Sequence, residues 1–342
     1  MPPQDDDETI KLRRDGLDAA KPRLTSRRLF IGCAICSGVA AGGLGWRYAR
    51  SPNTVAPPPP PPRPAPAPAA PPLPPLPAAT IPKTPITTAG EAAIIANHPT
   101  NLDVFRFDRN PRILVLDFAS LARQGAMLNR LAAMIEKNGQ PHDRALDDTS
   151  LDAAIRATGD TPETFYYGHD YGMMALNRFF ATVDRQQIKL TSDELWLRAL
   201  LEQEAASIPD GPLGLISIPA IGGGGVSTDM RATILHHELS HGEFFTNAAY
   251  ADWTRAFWTR VLDDKLRDAF RTFLTSQDYD SGIEELAANE TQAYLMFTPN
   301  PAFFRADQVG LTPTGLAEWR HRFRDGMPQG WLREQAFAEA AR

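Results

Sequence analysis

The stretch TDMRATILHHELSHGEF, residues 228–244, decides how this chain is read, and His237-Glu238-Leu239-Ser240-His241 lies at its centre. From Ala232 onward, Ile234, Leu235, Glu238 and Leu239 recur at helical rather than strand spacing. Residues four apart on a helix stand on one face with Cβ atoms roughly 5–6 Å apart. His237 and His241 can therefore bind one Zn²⁺ together, each at about 2.0–2.1 Å. Glu238 is turned about 100° from His237. It reaches a water on the metal instead of the metal, which is where a general base is needed. The plain alternative is a surface helix that happens to carry two histidines.

The flanking residues suit such a helix. Leu213–Pro219 (LGLISIP) is short, apolar and β-branched, so it reads as a strand. Gly222–Gly225 breaks the chain, Ser227 or Thr228 supplies an N-cap, and Asp229 places a carboxylate on the positive helix end. A phosphate cradle would need a Gly-Lys-Ser/Thr after the glycines, and none follows. A cleft loop fits better.

The H-E-x-x-H pattern of residues 237–241 resembles that of the zincin metallopeptidases. That resemblance implies a strand lining the substrate cleft ahead of the metal helix, a role that falls to Leu213–Pro219. A catalytic zinc keeps three protein ligands and an open position. The metzincin branch requires Gly and then His after the second histidine, but Phe244 and Asn247 stand there. The gluzincin branch takes a Glu from a later helix, and Asn289-Glu290-Thr291-Gln292-Ala293 resembles its pattern. On a helix, Glu290 shares its face with Leu286, Ala293, Tyr294 and Phe297. A carboxylate on so apolar a face needs a partner, and a dication is a good one. Glu285, Glu284 and Asp252 remain alternatives for the third ligand. Tyr294, Tyr250 and His169 are candidates to steady a developing oxyanion, with core packing as the alternative for each. His236 points away from His237 and reads as structural. The resemblance extends over these two helices only.

The 342 residues carry a net charge of −6, and no basic run appears in the C-terminal three quarters, which argues against nucleic acid as a partner. Residues 1–25 are polar and read as disordered. Ser26-Arg27-Arg28-Leu29-Phe30-Ile31 resembles a twin-arginine export signal, so 26–48 reads as a signal or a membrane anchor. Leu29–Trp46 is apolar but diluted by glycine and serine, weaker than an ordinary transmembrane helix. Cys33 and Cys36, the only cysteines, lie inside it, so no thiolate is available to a metal further along. Export machinery of the twin-arginine type is the partner this signal implies, and it carries proteins already folded, so metal could be loaded first. Residues 49–86 form a linker: 17 of the 31 prolines fall between Pro52 and Pro85. Such a segment favours extended polyproline II and reads as a spacer.

The folded part is expected over 87–342. Arg112–Phe118 reads as a buried strand. Helices are expected at Ser120–Asn138, Ser150–Thr158, Thr161–Ala181, Asp193–Ala206 behind a Thr191/Glu194 capping box, Ala251–Ser276, Leu316–Arg324 and Gly330–Ala341. The sum is one α+β domain, mostly helical, with a small sheet, of zincin-like type. The function this implies is a zinc-dependent hydrolase, one Zn²⁺ per chain, cutting peptide bonds outside the cytoplasm. Its substrate would be a peptide or protein, cell-envelope material included. Two rivals stand: a non-catalytic envelope module with a structural zinc, and a zinc amidase acting on non-peptide amides.

Overall fold

The strands are short and apolar, and the sheet they build is the frame on which the histidine helix lies. The computed structural model describes residues 83–207 and 211–340. The export-type signal and nearly all of the proline-rich linker lie outside the described residues. Among the described residues, no helix is long and apolar enough to cross a membrane.

The chain opens with β1 (Thr87–Ala89), α1 (Glu91–Ala96), β2 (Leu102–Phe107) and β3 (Ile113–Phe118), followed by α2 (Leu121–Ile135) and α3 (Asp148–Ala157). Next come β4 (His169–Gly172), α4 (Met173–Gln186), α5 (Ser192–Ser207) and β5 (Gly214–Pro219). The sheet order is β1-β2-β3-β5-β4, with β3 and β5 parallel at its centre and β4 antiparallel on one edge. Every residue of β3 and β5 is buried. Period-two alternation sends their side chains to opposite faces. Leu114, Leu116, Phe118 and Leu215 pack with α2, α4 and α5, while Ile113, Val115, Ile216 and Ile218 pack on the other side with Ile234, Leu235 and Leu239.

Those last three residues belong to α6 (Thr228–Thr246), capped by the Ser227 hydroxyl, which accepts from the Met230 amide. Arg231, fully buried, fixes its first turn to the sheet. Its guanidinium donates to both oxygens of Asp117 on β3, at 2.8 and 2.7 Å, and to the Pro219 and Ile94 carbonyls. Further along, a Cβ on Gly242 would stand only 2.8 Å from Ile113, so glycine is what allows the helix to cross the sheet so closely. The chain ends in a helical block: α7 (Ala248–Ala256), α8 (Asp264–Ser276), α9 (Glu284–Phe297), α10 (Pro313–Gly326) and α11 (Trp331–Ala340). Phe257, Phe270, Phe273, Tyr294, Phe297 and Phe323 fill its core. The architecture is α+β, mostly helical, with a small mixed sheet.

Several expected elements differ. Thr161–Ala181 is not one helix: turns lead into β4, and α4 starts only at Met173. Gly168 and Gly172 bracket the strand, and pairing with β5 overrides the helical chemistry of Thr161-Pro162-Glu163. The helix expected to reach Asn138 stops at Ile135, where Glu136 leaves helical geometry and Lys137 forms an isolated bridge with Tyr279. Ala251–Ser276 is interrupted by a π turn at Phe257–Val261, after which the Asp263 side chain caps a new helix. The strand expected at Leu213–Pro219 is β5, which lies between β3 and β4 in the sheet, with β4 as the edge strand. The sequence reading missed β1, α1 and β2.

Candidate metal centre

Helical spacing puts His237 and His241 on the buried side of α6, and their rings meet edge to face, 4.7 Å between centroids. α9 packs against that side and delivers Glu290, which is fully buried. His237 Nε2 lies 3.5 Å from Glu290 Oε2, and His241 Nε2 lies 3.4 Å from Glu290 Oε1. These separations are long for hydrogen bonds. They match the spacing of about 3.4 Å between ligand atoms arranged tetrahedrally round an ion at zinc's usual bond lengths. Neither nitrogen of His241 has a hydrogen-bond partner among the described residues, and the Glu290 oxygens have none beyond the Tyr279 hydroxyl. Buried polar atoms are seldom left so. The three residues therefore fit a divalent cation.

The network also orients these side chains. Thr298 Oγ1 donates to the Ala293 carbonyl, so at 2.9 Å from His237 Nδ1 it accepts the ring N–H. That leaves the His237 Nε2 lone pair facing Glu290, the support a metal-binding histidine requires. Gln292 Nε2 donates to Ser240 Oγ at 3.0 Å, tying α9 to α6 beside the ligands.

Glu238 lies against Gly168, where a Cβ would overlap its Oε1. Beside it is a void of about 20 Å³ lined by His237, Glu238, Tyr167, Tyr294 and Phe303. A void of that size holds about one water. Burial, and then the nearby Asp170, Glu290 and Glu136, push the Glu238 pKa well above the ordinary carboxylate value. Glu290 rises to about 8 because of burial, opposed by His241 and the Tyr279 hydroxyl and reinforced by Asp170. Burial holds His237 down to about 4, so its imidazole is neutral and able to ligate.

The other candidates separate cleanly. Glu285 accepts from both Nε and Nη2 of Arg255 on the surface, Glu284 pairs with Arg271 and Trp258, and Asp252 is exposed beside Arg255. None joins the histidines. Tyr294 does, with its ring 4.8 Å from that of His237. Tyr250 does not: its hydroxyl donates to Gln292 and its ring packs on Phe323. His169 points to the opposite face of β4, where Nδ1 meets Ser217 and Gln124. His236 pairs with Glu91.

Two acids that sequence reasoning passed over complete the cluster. Asp170 on β4 brings Oδ2 to 3.8 Å from His241 Nε2. Glu136, just past α2, accepts from Tyr171 and joins Asp170 and Glu290 in a second buried group. Beyond them opens a cavity of about 520 Å³ lined by Glu136, Asp170, Met173, Phe245, Leu286 and Asn289. The signal for Asp170 was the pair of glycines round residues 169–171. For Glu136 the sequence held none. Comparison with known proteins finds no matching family model, curated protein or solved structure.

Proposed function

We propose that the chain is a zinc-dependent hydrolase of peptide bonds, of gluzincin-like type, with His237, His241 and Glu290 as metal ligands. One observation carries this reading: two buried imidazoles turn their Nε2 atoms, neither with a hydrogen-bond donor or acceptor of its own among the described residues, toward one buried carboxylate at tetrahedral ligand spacing. Bound there, zinc would acidify a water and polarise a carbonyl. Glu238, next to the water-sized void, takes the proton from the attacking water and passes it to the leaving nitrogen. Its raised pKa suits a group that must hold a proton between the two steps. Tyr294 stands closest to the site among the candidate oxyanion donors. The resemblance of residues 26–31 to an export signal supports an activity outside the cytoplasm, and the proposed substrate is a peptide or protein, cell-envelope material included.

The tightness of the void favours one rival, a metal that only fixes the fold, because a peptide needs far more room than one water. Glu238→Gln separates the two. In the hydrolase, zinc content stays at one per chain and cleavage of a peptide library falls by several orders of magnitude. Zinc binding in the unaltered chain with no peptide cut supports the structural role. A library of non-peptide amides tests the amidase alternative.

A further inference from the structure

Four carboxylates, Glu136, Asp170, Glu238 and Glu290, are buried together beside His237 and His241. Lys137, the nearest cation in sequence, is engaged elsewhere: its ammonium pairs with Asp278 at 2.6 Å and lies over the Phe165 ring. One dication at the histidines would leave two of four ionised carboxylates unbalanced among buried side chains, which a protein interior tolerates poorly. The excess falls on one side. Glu136, Asp170 and Glu290 bring carboxylate oxygens within 4.8 Å of one another, all from buried side chains.

A second observation points to a ligand there. His241 Nε2, on a fully buried ring without a hydrogen-bond partner, is aimed into this acid group, 3.8 Å from Asp170 Oδ2 and 3.4 Å from Glu290 Oε1. The two Glu290 oxygens, fully buried, have only the Tyr279 hydroxyl beside them as a donor. One hydroxyl is little return for burying these atoms. The cavity of about 520 Å³ reaches Glu136 and Asp170 from outside, so a hydrated ion has a route to them and room to keep part of its water shell.

We propose that Glu136, Asp170 and Glu290 form a second divalent-cation site beside the zinc, with Glu290 common to both. The donors are all carboxylate oxygens, with no imidazole or thiolate. That set selects the hard cations, the class of calcium, magnesium and manganese, over zinc. The sharing of Glu290 rests on the zinc reading; the oxygen site itself does not. Two neighbouring cations would balance the four carboxylates and leave the pocket neutral.

Manganese(II) is a suitable probe because its bound and free forms are told apart by electron paramagnetic resonance. The full chain is stripped of metal, given one equivalent of zinc and titrated with manganese. One manganese per chain, at micromolar concentration and alongside retained zinc, is the expected result. Glu136→Gln keeps the size of the side chain and an acceptor for Tyr171. It should weaken manganese at least about 100-fold, since losing an outer partner alone costs about 10–100-fold, and leave zinc at one per chain. Asp170→Asn should act in the same way, and near-ultraviolet circular dichroism checks that both variants fold. Manganese binding only in the millimolar range, or equal binding in Glu136→Gln, overturns the proposal while zinc stands. Two zinc ions that exclude manganese overturn the choice of a hard cation. Manganese held without zinc keeps the oxygen site and removes the zinc reading instead.

Discussion

Stripping divalent cations from the protein leaves its buried carboxylates with only protons to neutralise them, and stability then depends on pH in a defined direction. Glu290 is the sharpest case, with burial raising its pKa from 4.5 to about 8. Between those values the folded chain holds a proton that the unfolded chain has lost. Stability supplied by that proton is complete below about pH 4.5 and disappears as pH climbs through 8. His237 works the other way, because burial lowers it from 6.5 to about 4, but it acts only between those two values. The window from pH 6.5 to 8 therefore belongs to the acids. Across it, one proton is worth about 2 kcal/mol. Glu136 and Glu238, raised first by burial and then by Asp170, add to the loss. Urea unfolding in a chelator, followed by far-ultraviolet circular dichroism, should show the metal-free protein less stable at pH 8 than at 6.5 by at least that amount. Glu290→Gln should flatten the slope, and saturating zinc should reverse it, because ligation needs the carboxylate ionised. Metal-free stability that holds level or rises across the window refutes the reasoning.

Three substitutions test the scaffold. Thr298→Val removes the acceptor that fixes the His237 ring and should weaken zinc about 10–100-fold in competition with a chromogenic chelator, without unfolding the chain; unchanged affinity would dismiss its orienting role. Arg231→Met strands the buried Asp117 and should cost about 3–5 kcal/mol in urea unfolding, part of which returns in the Arg231→Met/Asp117→Asn double variant. Gly242→Ala drives a methyl against Ile113 and should cost about 1–3 kcal/mol, with Ile113→Val easing the loss.

The candidate ligand set could be read because its information is local. His237 and His241 are one turn apart, and Glu290 stands out as a charge on an apolar helical face. Glu285 and Glu284 were separated from it only by the fold, which pairs them with Arg255 and Arg271 on the surface. Asp170 was hidden by helix-forming neighbours: read as part of a helix over 161–181 it has no reason to face His241, whereas in a strand its parity differs from His169 and Tyr171. Glu136 was hidden by a helix end that no Gly or Pro marks. The strand order places β5 between β3 and β4 across long connections, and such pairings depend on contacts far apart in sequence. Short apolar runs state only that a strand exists. Tyr250 misled because an aromatic near the histidines in sequence lies one layer behind them in space.

Arg231 rivets the helix that bears the histidines to the sheet, whereas Glu290 belongs to the C-terminal bundle with its own aromatic filling. An ion gripped by all three would act as a clasp across the seam between two separately filled halves of the molecule. Its departure would leave acid side chains facing one another at that seam, held neutral only by protons, while both halves kept their own interiors. Loosening would then be local: amide exchange would quicken in residues 284–297, and the central strands would stay protected.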